Sequence, residues 1–172
     1  MASTLIVQNL QGPASGANAN KIIVSSGNTF VPSVGQVVNV QRYSTSTQVD
    51  HSSGSYTNVW AVYYTPILTN SKIIFSHNVS LMSYRSNGAG ARINTAVNIN
   101  GATVQYDDNT HVYDYGGNGV WVKAMHSNTT EYSNTSGSQV SWGYFTSCAD
   151  ANEVKFNEGL SSSSLIVTEV AQ

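Results

Sequence analysis

Charge is what this 172-residue chain has least of. Only 9% of its residues are charged, against about a quarter in an ordinary globular domain. The seven Lys and Arg residues are scattered as Lys21, Arg42, Lys72, Arg85, Arg92, Lys123 and Lys155. They form no basic stripe, which argues against nucleic-acid binding through phosphates, and there is no acidic tail. With a single cysteine, Cys148, an intrachain disulfide is excluded, and a buried strand thiol is the expectation. No apolar run approaches the ~20 residues of a membrane helix, so no membrane partner is expected. The opening MASTLIVQNLQG lacks the basic region and apolar length of a signal peptide. Synthesis and folding in a cytoplasm are therefore expected, and the sequons at Asn78, Asn128 and Asn134 read as coincidence in a Ser/Asn-rich chain. No Gly-rich phosphate loop opens a helix, so no nucleotide or other cofactor is expected. Helical periodicity of useful length is missing too.

Ser, Thr, Asn and Gly stand where Lys and Glu usually do, together with ten Tyr, three Trp and many Val and Ile. Aromatic and β-branched residues suit pleated, half-buried surfaces, and Ser, Asn and Gly suit turns. The chain therefore reads as all-β. Two segments are expected. Residues 1–33 hold short apolar runs among Gly, Ala, Ser and Asn, too polar to offset their own ordering entropy. They form an extended N-terminal arm that anchors or oligomerises. Residues 34–172 form the head domain.

In the head, period-2 alternation predicts strands at Val34–Tyr43, Tyr56–Thr65 and Lys72–Tyr84. Val34, Val38 and Val40 share a face of the first. Tyr56, Trp60, Val62 and Tyr64 share one in the second, which Pro66 ends. Ile73, Phe75, His77, Val79 and Leu81 point one way in the third. Ser86–Gly90 is a turn. Ile93, Thr95, Val97 and Ile99 line the next strand, and Asn100–Gly101 is a strong hairpin signal before a return strand, Ala102–Tyr106. Asp107–Asn118 and Ser127–Ser138 are expected as long loops flanking a strand at Val120–His126, and Ser44–Ser55 as another loop. Gln139–Cys148, Glu153–Phe156 and Leu165–Val170 complete about eight strands. That number fits an antiparallel β-sandwich of jelly-roll type.

Catalytic signatures are absent from the pattern. The one carboxylate cluster, Asp107-Asp108 with Asp114, does not follow an EF-hand spacing and reads as a solvated turn, so no metal is expected. His77 lies on an apolar strand face and reads as a core or oligomer-axis residue, while His51, His111 and His126 are dispersed. The best binding candidate is the aromatic set Tyr106, His111, Tyr113, Tyr115 and Trp121, because aromatic rings offer rigid contact area at low entropy cost. They could stack on a host polysaccharide or fill a site on a neighbouring subunit.

Several stretches resemble a known family in order and spacing: Val34-Gly35-Gln36-Val37-Val38, the aromatic strand ending Tyr64-Thr65-Pro66, SKIIFSHNVSL, the Asn-Gly hairpin within Ile93–Thr103, and the closing SSSLIVTEVAQ. Together with the N-terminal MASTLIVQNLQG, they are similar to the C-terminal fibre and appendage domains of tailed bacteriophages, marine ones especially. The resemblance implies a homotrimeric, non-enzymatic virion structural protein with a jelly-roll head resembling TNF-like trimers. It would be assembled in the host cytoplasm and held to other virion proteins, capsid or tail, through residues 1–33. About thirty residues precede the head where the family often has a longer shaft, which favours a short fibre, spike, head fibre or capsid decoration. A cement protein without adhesive role and a polysaccharide-degrading tailspike-type enzyme, which would need two acids facing across a groove, are the alternatives. A free-standing lectin-like module fits the N-terminal similarity less well.

Overall fold

Strict alternation builds the 15-residue strand Ser71–Arg85, against which three other strands of its sheet pair. The computed structural model describes residues 32–85, 91–112, 120–148, 151 and 153–172, with side chains at 85, 91, 108–112 and 120–122 outside the description. The expected arm at 1–33 and the turn at 86–90 therefore lie almost wholly outside it. Among the described residues there are ten strands: β1 Val37–Thr45, β2 Val49–His51, β3 Thr57–Tyr64, β4 Ser71–Arg85, β5 Ala91–Ile99, β6 Ala102–Val112, β7 Val120–Asn134, β8 Val140–Cys148, β9 Glu153–Phe156 and β10 Ser163–Ala171. No described helix is long and apolar enough to cross a membrane.

Two antiparallel sheets form a sandwich. In the first, β7 runs along the whole of β4, from Ser71↔Asn134 to Arg85↔Val120. On the other edge of β4, β10 and β9 follow one another, covering Ser71–Asn78 and Leu81–Tyr84. Beyond them β1 pairs β10 and β2 pairs β9. The second sheet has the order β3-β8-β5-β6. If β1 with β2, and β9 with β10, are each counted as one interrupted strand, the sheets read 1-8-3-6 and 2-7-4-5.

The two interruptions coincide, and Asn157 fills the gap. Its φ of 56° is left-handed, a region that Asn tolerates because its short side chain can bond locally. The Asn157 amide donates to the carbonyls of Thr45 and Thr47, where β1 breaks. Its Oδ1 accepts the Ser163 hydroxyl where β10 begins, and its backbone N–H donates to Ser80 O on β4.

The expected apolar faces meet in one core. Ile73, Phe75, Val79 and Leu81 from β4 pack against Ile93, Val97 and Ile99 from β5 and Val140, Trp142 and Tyr144 from β8. His77 is buried with them, as the pattern predicted. Trp142 meets Trp60 edge-to-face at 5.4 Å, the arrangement that ring quadrupoles favour. The Asn100–Gly101 hairpin forms with φ of 51° and 80°, the positive values that a two-residue I′ turn needs.

Five expectations are corrected. The Ser44–Ser55 loop contains β2. The return strand does not stop at Tyr106: β6 continues to Val112, so Asp107–Val112 is strand rather than loop. An Asp inside a strand is accommodated here because side chains from β6 and β7 hydrogen-bond its carboxylate. Likewise β7 runs on through Ser127–Asn134. That tract has no apolar alternation, yet it is stitched to β4 by side-chain pairs: Ser76 with Thr129 at 3.1 Å, and Ser127 donating to Asn78 at 3.1 Å. Finally, Tyr56 leaves the face of Trp60, Val62 and Tyr64, because a bulge between Asn58 and Trp60 shifts the register. On β1 a similar shift between Val37 and Asn39 turns Asn39 inward to Tyr64, while Val40 is 60% exposed and Val34 lies outside the strand.

Candidate binding surface and a buried histidine cluster

The solvent-facing side of the second sheet is built in rows. Across it, Asn58, Phe145, Ala96 and Tyr106 are register partners, and the next row is Ala61, Gly143, Asn98 and Thr103. Tyr63 opposite Ser141 forms the row after that. The middle row carries nothing larger than Asn, so it is a trough between aromatic rims. Tyr63 stands 62% exposed on one side, and Phe145 and Tyr106 on the other. Tyr56, displaced by the bulge, joins Tyr106 with ring centroids 5.8 Å apart.

Gly143 gives the Phe145 ring its room. A Cβ there would lie 2.8 Å from Phe145 Cε2 and 3.6 Å from Asn58 Nδ2. The Phe145 ring edge thus lies over the glycine, along the sheet. Asn58 Oδ1 accepts the Trp60 N–H. The depression holds about 170 Å³, and among the described residues no charged side chain lines it. The corresponding side of the first sheet has a wider depression, lined by Ser76, Asn78, Ser127, Thr129, Ser164 and Ile166. There, however, Ser76 bonds Thr129 and Ser127 bonds Asn78, and none of the described lining residues is Phe, Tyr or Trp.

A second constellation lies between the sheets. Asp107 on β6 is 2.9 Å from His126 Nε2 on β7 and also accepts the Gln105 amide at 3.0 Å. Since a carboxylate only accepts, His126 carries a proton on Nε2. Its Nδ1 then accepts the Tyr144 hydroxyl at 2.7 Å, with His77 Nε2 3.3 Å away. Burial, reinforced by His126 and opposed by Asp107, holds the His77 pKa down to about 4. Burial pushes the Tyr144 phenol far above its usual range. An Asp–His pair resembles half of a hydrolytic triad. Here the nitrogen a general base would use faces a buried phenol in place of a substrate, so the cluster ties β4, β6, β7 and β8 together.

Of the residues singled out in sequence, Tyr106 is on the trough rim. The side chains of His111 and Trp121, and Tyr113 and Tyr115 altogether, lie outside the described residues. Asp107 is held by His126 and Gln105, and Asp108 and Asp114 lie outside the described side chains. Among the described residues, no group of three His, Cys, Asp or Glu side chains gathers to hold a metal. His51 accepts the Ser53 N–H at Nδ1 and so donates from Nε2 to Thr146 Oγ1 at 2.7 Å; burial lowers its pKa. Asn134 is buried with its amide donating to Leu68 O and Ser71 Oγ, which removes it as a glycan acceptor. Sequence reading missed Tyr63, Phe145, Asn98 and Gly143. Their signal was present as the positions alternating with the core set on β3, β5 and β8, but only cross-strand register places them side by side.

No protein-family model matches the chain, and no curated protein matches it significantly. Solved structures share low similarity with it. The dimeric latent PorU of Porphyromonas gingivalis is 10% identical with a TM-score of 0.40, over 89% of this chain and 15% of that one. A structure of infectious bursal disease virus, Gx strain, is 10% identical with a TM-score of 0.42, over 92% of this chain and 40% of that one. A Bacillus endospore appendage that forms disulfide-linked pili is 11% identical with a TM-score of 0.32, over 84% of this chain and 99% of that one. The chain thus spans less than half of the first two of these.

Proposed function

We propose that this is a non-enzymatic structural protein of a tailed-bacteriophage virion. It works as a homotrimer in a short fibre, spike or capsid decoration, anchored through residues 1–33, with one sheet face free for host-surface polysaccharide. The strand order 1-8-3-6 and 2-7-4-5 supports a jelly-roll winding, in which eight strands divide between two sheets as two Greek keys. The order of sequence stretches similar to phage appendage domains supports the virion assignment.

The observation that carries the reading is the make-up of the outward faces. They are hydroxyls and amides with few charges, and apolar side chains stand exposed along β1 and β10. Val40 and Ile166 are 60% and 42% exposed on adjacent strands. Such a surface is suited to being covered by copies of itself rather than to holding a charged substrate. Sedimentation of the full chain at micromolar concentration should give a trimer, and Val40→Asp with Ile166→Asp should weaken it. A stable monomer overturns the trimer, and absence of the protein from purified particles by mass spectrometry overturns the virion assignment. Against a tailspike-type hydrolase, Asp107 pairs with His126 rather than facing a second acid across a groove. Incubation with host surface polysaccharide should release no oligosaccharide.

A further inference from the structure

We propose that the trough on the outer face of the second sheet is a binding site for neutral carbohydrate, seated beside Tyr63 and against the Phe145 ring where that ring lies over Gly143. The inference deepens the adhesive part of the proposed function and rests on it only for the biological source of the sugar.

A sugar ring has two chemistries that a site must match. Its C–H faces are apolar and flat, and its hydroxyls both donate and accept. The trough offers both. Ser141 and Phe145 are four residues apart on β8, about 13 Å at ~3.3 Å per residue, so the aromatic rows bracket a span of one or two sugar rings. Tyr63 opposite Ser141 presents an exposed ring, and Phe145 lies along the sheet instead of standing on it. Beside them Asn58 and Asn98 supply amide N–H donors for the hydroxyls they would meet, since Asn58 Oδ1 is engaged by the Trp60 N–H and Asn98 Oδ1 is buried. Ala61 keeps the floor low, and Gly143 leaves room for the Phe145 ring to lie along the sheet. Any side chain at Gly143 would collide with the Phe145 ring and fill the depression.

The class of carbohydrate follows from charge. Among the described residues no Lys, Arg, Asp or Glu lines the trough. An acidic polysaccharide would lose the hydration of its carboxylates or sulfates there and gain no cation in exchange. A neutral glycan loses nothing of that kind. A second copy of the chain is the competing occupant, but the exposed aliphatic pair Val40 and Ile166 belongs to the first sheet, and Val104, exposed on β6 of the second, is not among the residues that line the trough, which sets aromatic rings beside amides. That composition suits intermittent contact with a wet ligand.

The test is affinity electrophoresis of the purified full chain through gels containing soluble starch, laminarin or galactomannan, with alginate as the charged comparison. Retardation is expected in at least one neutral gel and not in alginate. Tyr63→Ala should weaken that retardation about tenfold, a loss typical of removing an aromatic anchor. Tyr63→Phe should keep most of it, and Ile166→Ala on the other sheet should leave it unchanged. Tyr63 is exposed, so Tyr63→Ala should fold as the parent does; Asn98→Ala tests the amide wall independently. Migration unaffected in all three neutral gels overturns the proposal. So does retardation in alginate alone, or a Tyr63→Ala protein whose sedimentation changes, because this face would then be a contact between copies. Sugar binding by a protein that purified particles lack would preserve the site and overturn the virion assignment instead.

Discussion

Tyr64 donates its hydroxyl to the carboxylate of Glu169 at 2.6 Å, joining β3 of one sheet to β10 of the other inside the sandwich. The same carboxylate accepts the backbone N–H groups of Ile67 and Leu68 at 2.8 and 2.9 Å. Burial alone would raise its pKa. The Ile67 N–H, the Tyr64 hydroxyl, the Leu68 N–H and the Ser71 hydroxyl outweigh burial and hold it below the usual value. Pro66 ends β3, and Glu169 pins the chain that follows it.

Glu169→Gln should therefore be costly although it is nearly isosteric. The new NH₂ faces donors where an acceptor was, and a set of charge-assisted bonds is lost. We expect a loss of about 3 kcal/mol, read as a lower urea midpoint with unchanged slope. Tyr64→Phe should cost less, since the two backbone donors keep their acceptor. Equal midpoints for Glu169→Gln and the parent would show that the carboxylate charge contributes nothing.

Acid should weaken the fold through His77. Its pKa is about 4 in the folded protein and about 6.5 when unfolded, so the unfolded chain binds more protons between these values. Stability is complete above about pH 6.5 and falls as pH drops toward 4, by roughly 3 kcal/mol for this group. Lowered His51 acts in the same direction. His77→Gln should flatten the dependence between pH 6.5 and 4, leaving the loss at lower pH that Glu169, its pKa held down, contributes as it takes up a proton. Thermal melts across that range for both proteins decide it, and identical pH profiles would rule out His77 as the source.

Asn157→Gly and Asn157→Ala should separate backbone from side chain. Both remove the bonds to Thr45, Thr47 and Ser163, but only Ala also resists the positive φ. Gly should cost about 2 kcal/mol and Ala about 1 kcal/mol more, measured by urea denaturation. If Ala is as stable as Gly, the left-handed conformation is not what this position requires.

Cys148 should be unreactive in the native protein. It is buried, its thiol donates weakly to His51 O at 3.6 Å, and burial together with Glu153 raises its pKa. The thiolate is the reactive form, so a thiol reagent should label it slowly at pH 8 and stoichiometrically in urea. Rapid native labelling would mean that the β2–β8 contact opens readily.

Local alternation was enough to specify the core. Ile73, Phe75, His77, Val79 and Leu81, the set Ile93 to Ile99, and Val140, Trp142 and Tyr144 each show period 2 in the chain itself, and each is buried. The Asn100–Gly101 turn was equally legible, because its φ requirement is a property of two adjacent residues. Where the sequence carried no apolar alternation, as in Ser127–Asn134, or placed an Asp in mid-strand, as at 107, it read as loop. Those segments are strands because neighbours far along the chain, β4 for the first and His126 for the second, satisfy their polar groups. The aromatic trough was hidden for a related reason. Tyr63, Phe145, Asn98 and Tyr106 sit on four different strands, and the Asn58–Trp60 bulge turns Tyr56 and Asn58, ahead of it, to the outward side. Alternation decides which residues leave water together within one strand. Register, bulges and sheet order decide which strands they meet, and those depend on contacts that only the folded chain makes.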